Sequence, residues 1–118
     1  MKNEAKGIKR IIYANQFSWQ GLRRCYQSEA AFRQELWVGI VLIPLAIYMS
    51  DSAIERILLI FPIFLVLIVE VLNSAIESVV DRIGDEYHPL SGAAKDMGSA
   101  AVWLSLLLLG ITWLIILI

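Results

Sequence analysis

Residues 57–83 read ILLIFPIFLVLIVEVLNSAIESVVDRI, and the placing of polar positions within this apolar run decides the fold. From Ile57 to Val80 the only charges are Glu70 and Glu77. As one helix rising about 1.5 Å per residue, the run is long enough to cross the roughly 30 Å hydrocarbon core of a bilayer. With about 100° between successive residues, Glu70, Asn73, Glu77 and Asp81 fall at about 0°, 300°, 340° and 20°, which makes one polar stripe. An acid at mid-membrane costs about 2.5–3.5 kcal/mol on insertion scales, and such residues face protein or a water-filled site. Two acids and an amide on one stripe mark the place where chemistry should occur.

Working outward, Met97 to Ile118 carries no charge at all. Leu36 to Ser50 is shorter and contains Pro44, but it reaches spanning length when extended back through Glu29. The chain is 58% hydrophobic with a mean hydropathy of +0.68, well above a soluble domain. The expected fold is therefore an all-α membrane protein forming a single domain over residues 1–118. It has three transmembrane helices at 29–50, 54–83 and 92–118, with a loop at 84–91. Residues 1–28 form an amphipathic surface-helix region, in which Ile8, Ile11, Ile12, Trp19, Leu22 and Tyr26 recur at helical spacing among basic residues. Asn15–Ser18 and Gly21 are candidate breaks in that helix. Ser28 is expected to cap the first span, with Glu29 in its first turn, and Ser91 to cap the third. Gly84 should end the second span, and the short Ser50-Asp51-Ser52 turn makes the first two helices an antiparallel pair.

Lys2, Lys6, Lys9, Arg10, Arg23, Arg24 and Arg33 all precede Leu36. The positive-inside rule then places the N-terminus in the cytoplasm, the Ser50–Glu55 turn outside and the Arg82–Asp96 stretch inside, with Arg56 a mild exception. No short apolar core followed by a small-residue cleavage site precedes the first span, so no leader peptide is expected. The single Cys25 cannot form an intrachain disulfide and reads as a small buried or interfacial thiol.

The sequence has no Gly-rich Lys-Ser/Thr phosphate loop, no dinucleotide fingerprint and no paired-His metal motif. What it does have is a crowd of charges at the inner face: Glu29, Glu77, Asp81, Asp85, Glu86 and Asp96, with Arg10, Arg33 and Lys95 at the same level. Carboxylates, water and phosphate oxygens are the usual magnesium donors, and adjacent cations bind the phosphates. Glu70 lies about 10 Å deeper than Glu77, placed to act as a general base on a hydroxyl. The pattern suggests phosphoryl transfer at an interface, with the nucleotide above and a lipid hydroxyl below. Plainer readings exist for each residue. Glu70 could be hydrogen-bonded between subunits, Glu77 paired with Lys95, and Glu29 paired with Arg33 one turn on. Asp81 reads as a solvated helix end, His88 as a loop residue and the four Trp as interface anchors. Three short helices bury little polar surface alone, so the stripe is expected to face other subunits of a homo-oligomer.

The blocks Ser18-Trp-Gln-Gly-Leu-Arg23, Glu29-Ala-Ala-Phe-Arg-Gln-Glu35, Glu70 through Gly84 and Glu86 through Ala100 carry a resemblance. With them the chain resembles the small integral-membrane diacylglycerol kinase family of bacteria over nearly its whole length. The resemblance implies a homotrimer with shared active sites in the bacterial inner membrane. It implies MgATP-dependent phosphorylation of diacylglycerol to phosphatidic acid, and no nucleic-acid partner. By position, Glu70 matches the catalytic base, Glu29 and Glu77 match the magnesium ligands, and Asn73 lines the site. Arg10, Phe17, Glu86, Tyr87, His88, Lys95 and Asp96 match nucleotide contacts, as do Glu29 and Glu77 through the metal. Arg10, Trp19, Arg33, Gln34, Glu35, Glu70, Ser99 and Trp113 match positions near the lipid. Phe17 stands where the family often has Tyr, Asn15 where it usually has a small residue, and Pro44 and Pro62 are unlike other members.

Three alternatives frame this expectation. A kinase of the same family acting on undecaprenol would share the acidic stripe and the Lys-Asp pair. A small ion-translocating oligomer would use Glu70 as a carrier carboxylate, but it leaves Asn73, Glu77, Lys95 and Asp96 unexplained. A purely structural scaffold would leave the insertion cost of Glu70 without any functional return.

Overall fold

The computed structural model describes residues 6–118; the first residues of the N-terminal region, Lys2 among them, lie outside the described residues. The described chain is helical: α1 (Ile8–Ser28), α2 (Ala30–Met49), α3 (Ala53–Ile83) and α4 (Pro89–Leu117). α2, α3 and α4 are long and apolar enough to cross a membrane. α1 runs unbroken through Asn15–Ser18 and Gly21. Pro44 and Pro62 likewise stand inside continuous helices.

The helix ends are set by local hydrogen bonding, and two differ from the sequence expectation. Ser28 closes α1 instead of capping α2, because its hydroxyl donates back to the Arg24 carbonyl at 2.8 Å. Glu29 is the extended residue between the two helices, and its N–H donates to Cys25 O at 2.9 Å. At α4 the cap is His88, whose Nδ1 accepts from Leu90 N–H at 3.1 Å, and Ser91 lies inside the helix. Pro89 fits here because the first turn of a helix needs no N–H from it. The Ser52-Ala-Ile-Glu55 sequence forms a capping arrangement: Ser52 Oγ accepts from Glu55 N–H, and Glu55 Oε1 accepts from Asp51 N–H. Gly84 ends α3, as expected.

α3 is the central helix, packed along α4 and then along α2, while α1 touches α2 and α3, with Cys25 near its end reaching Ser74. Leu59, Ile63 and Val66 of α3 are buried, as are Phe32 and Ala46 of α2. Close approach depends on missing side chains. A Cβ on Gly39 would stand 3.0 Å from Ile63 Cγ2, so this glycine lets α2 settle onto α3. Most remaining apolar side chains of the three long helices are exposed on the single chain. That is the surface a lipid-embedded helical protein presents.

Candidate functional site

The polar stripe of α3 turns inward. Glu70 and Asn73 are only 5% and 8% exposed, Glu77 is half-buried, and Asp81 is exposed beyond the end of the packed region. The expectation that the stripe needs other subunits to cover it is therefore corrected for Glu70 and Asn73, which one chain buries by packing α3 against α2 and α4. Burial does not satisfy them. Glu70 Oε2, Asn73 Oδ1 and Glu35 Oε2 are buried without a hydrogen-bond partner. The Glu35 and Glu70 carboxyls face each other across α2 and α3. An unpaired buried polar group costs about 1–3 kcal/mol, and two carboxyls facing each other beside an amide oxygen with no donor are an arrangement that signals function.

The remaining acids converge on the same level through the α1–α2 elbow. Cys25 is buried at the end of α1, and its thiol donates to Ser74 Oγ of α3 at 3.7 Å. Burial pushes the Cys25 thiol up from its ordinary range, against the lowering effect of the Ser74 contact. Glu29, Glu70 and Glu35 all act on it in the same upward direction, which places these carboxyls around the elbow. A thiol held protonated in this way is a packing element and not a nucleophile. Arg33 does not pair with Glu29. Its Nη1 donates to the carbonyls of Tyr26 at 2.7 Å and Gln27 at 3.1 Å. Those carbonyls end α1 and have no helical donor of their own, so Arg33 clamps the elbow on which Glu29 sits.

On the other side, Asn73 Nδ2 donates to Glu77 Oε1 at 3.1 Å, one turn along α3. Lys95 Nζ pairs with Asp81 at 2.7 Å and not with Glu77, although Glu77 lies within its electrostatic reach. Asp81 is thus more than a solvated helix end. A signal was available, since it continues the Glu70–Asn73–Glu77 stripe by one turn. Gly98, buried on α4 directly beside Asn73, was also missed. Its spacing of seven from Ser105, the other buried residue of α4, is the pattern of a close helix contact.

The nucleotide candidates divide in two. Asp81, Glu86, Tyr87, His88 and Lys95 line one open cleft of about 260 Å³ between the end of α3 and the start of α4. Arg10, Phe17 and Glu29 belong to α1 and the elbow and do not line that cleft, and Asp96 is exposed beside Lys95. The lipid candidates also spread. Trp19 lines an apolar groove of about 410 Å³ with Tyr26, Phe32 and Leu36. Gln34 and Glu35 line a smaller pocket between α2, α3 and α4. Ser99 is exposed on α4. Trp113 sits toward the opposite end of α4, where its indole N–H donates to Leu59 O at 2.9 Å.

As for a metal, Glu29 makes no side-chain cap bond, and Glu77 accepts its hydrogen bond at one oxygen. Both are oxygen donors of the kind magnesium takes, with room left in its shell for water and phosphate. Among the described residues, however, no group of three His, Cys, Asp or Glu side chains comes together to hold a metal.

Comparison with known proteins bears on what these residues serve. The family model described as prokaryotic diacylglycerol kinase matches residues 16–117. A diacylglycerol kinase of Escherichia coli K12 is 54% identical over 117 residues, covering 99% of this chain and 96% of that protein. The corresponding Haemophilus influenzae protein is 47% identical over 107 residues, 91% of each chain. That of Helicobacter pylori 26695 is 43% identical over 110 residues, 93% of this chain and 86% of its own.

Proposed function

Because this chain belongs to the prokaryotic diacylglycerol kinase family, we propose that it transfers the γ-phosphoryl group of ATP to the hydroxyl of diacylglycerol, giving phosphatidic acid and ADP. The observation that carries the reading within the molecule is Glu70: a carboxylate 5% exposed, midway along a membrane helix, with one oxygen unpartnered. That oxygen is free to accept the hydroxyl proton as the new O–P bond forms and the bond to ADP breaks. Glu35 faces it from α2 and lines a pocket between α2, α3 and α4.

Glu29 and Glu77 would hold magnesium together with the phosphates, and the ion would neutralise charge on the transferring group. Lys95, steadied by Asp81, and the Glu86–His88 loop receive the nucleotide in the open cleft. Glu29 and the α1 residues stand apart from that cleft in one chain. A homotrimer that brings the elbow of one subunit to the cleft of the next would complete the site, with the N-terminus on the cytoplasmic side of the inner membrane. α1 then rests on that surface, and its Trp19 groove faces the lipid.

The relatives are diacylglycerol kinases, which favours diacylglycerol over undecaprenol as the acceptor. The test is ATP-dependent phosphate transfer by purified protein in micelles, offering the two lipids separately with and without magnesium. Transfer to diacylglycerol that requires magnesium is the expected result. Preference for undecaprenol overturns the acceptor, and no transfer to either lipid overturns the kinase reading.

A further inference from the structure

Asn73 is 8% exposed and stands directly against Gly98 of α4. Its amide has two ends with different surroundings. Nδ2 donates to Glu77 Oε1 at 3.1 Å, whereas Oδ1 is buried and has no donor. On the Oδ1 side lies Gly98 of α4, and a Cβ built on Gly98 would collide with that oxygen. The opposite orientation of the amide is disfavoured chemically. It would set the amide oxygen against the Glu77 carboxylate, acceptor against acceptor. The notch at Gly98 is thus occupied by an amide oxygen that gains nothing there, while its nitrogen fixes one oxygen of Glu77.

We propose that Gly98 and Asn73 are positioning residues for Glu77: the glycine notch seats the amide, and the amide holds the carboxylate in the orientation that receives a divalent cation. The inference rests on the reading of Glu77 as a magnesium ligand. Carboxylate ligands are commonly oriented by a hydrogen bond from behind, and loss of that partner typically weakens metal binding by about 10–100-fold. Two features fit this role better than plain packing. The buried oxygen costs free energy without forming a bond, and the only bond the amide does form runs to Glu77. The glycine matters through space alone, because a Cβ there would force the amide to move.

The test is direct Mn²⁺ binding, read by electron paramagnetic resonance on the full-length protein in micelles with a non-hydrolysable ATP analogue and no lipid substrate. Gly98→Ala and Asn73→Ala are each expected to weaken Mn²⁺ binding by about 10-fold. The double variant should bind no worse than Asn73→Ala alone, because the clash disappears with the amide. At saturating metal, the KM for diacylglycerol should stay within about twofold of wild type in Gly98→Ala. If Gly98→Ala does not fold, Asn73→Ala with and without Gly98→Ala decides the matter: both must fold and bind Mn²⁺ equally. Wild-type Mn²⁺ affinity in Gly98→Ala, or additive losses in the double variant, overturns the proposal. Glu77→Gln in the same titration separates the two levels. If it leaves Mn²⁺ binding unchanged, the metal reading fails and takes this inference with it. If it weakens binding while Gly98→Ala does not, the inference alone fails.

Discussion

The two halves of α3 are built to opposite rules. Toward Leu59, the helix is apolar, and among the described residues it buries no side-chain polar atom without a partner. Pro62 has no N–H for the Leu58 carbonyl and crowds the preceding turn, and there the Trp113 indole donates to the neighbouring carbonyl of Leu59. Leu59 itself is fully buried. Toward Glu77, the same helix buries polar side chains and leaves Glu70 Oε2 and Asn73 Oδ1 unpaired, with Glu35 Oε2 facing them from α2. One half has the character of an anchor and the other of a site. The lesson is that burial alone does not separate the two; what separates them is whether each buried polar atom has a partner.

Substitutions in the two halves should therefore affect different quantities. The largest expected effect is Glu70→Gln, which removes the proton acceptor while keeping the shape. Transfer to diacylglycerol should fall by about 10²–10⁴-fold. The thermal midpoint in micelles should not fall, since a neutral amide facing Glu35 can donate where a carboxylate cannot. A lowered midpoint with activity retained per folded molecule would assign Glu70 to the anchor instead.

Leu59→Ala is the complementary change. Truncating a fully buried leucine costs about 2–5 kcal/mol, so stability should drop sharply. The turnover of molecules that remain folded should be unaltered, because Leu59 lies about 16 Å along the helix from Glu70. Denaturant titration beside a single-turnover assay checks both halves of that statement.

Trp113→Phe is the sharper case, because Trp113 matches a lipid position by resemblance while the structure ties its N–H to Leu59 O. Loss of this bond should cost about 1 kcal/mol and leave the KM for diacylglycerol unchanged. A raised KM at unchanged stability would instead place the ring at the lipid.

The contrast also explains which parts were readable in the sequence. The three apolar helices were legible because a period of 3.6 and the length of a bilayer leave few options for runs such as 57–80 and 97–118. The polar stripe was legible for the same reason. Which way it faces was not, since direction depends on where α4 lies, and this is set by a contact between residues far apart in sequence, Asn73 and Gly98. The elbow was misread by one residue. Ser28 suits a helix start by type, but its hydroxyl also bonds well to a carbonyl one turn back, and that local competition won. Likewise Arg33, paired with Glu29 by simple i, i+4 reasoning, bonds instead to the carbonyls that end α1. The ion pair of Lys95 with Asp81 joins two helices through an intervening loop, and spacing along one helix gives no hint of it.

That ion pair carries the smallest predicted effect. Lys95 and Asp81 are 47% and 65% exposed, so water and salt screen the attraction and little stability rests on it. Asp81→Asn should leave the thermal midpoint unchanged. Its consequence lies in the cleft, where Asp81 holds the one lysine among the lining residues. Released, the Lys95 ammonium must be ordered again each time it meets a phosphate, so the KM for ATP should rise by a few-fold while the KM for diacylglycerol does not move. Because the pair is screened, that difference from wild type should shrink as salt is raised. A lower KM for ATP in Asp81→Asn would mean that Asp81 competes with the nucleotide for Lys95 rather than presenting it. The cleft would then hold an internal counter-ion that substrate must displace, and the site half of α3 would extend one turn beyond Glu77.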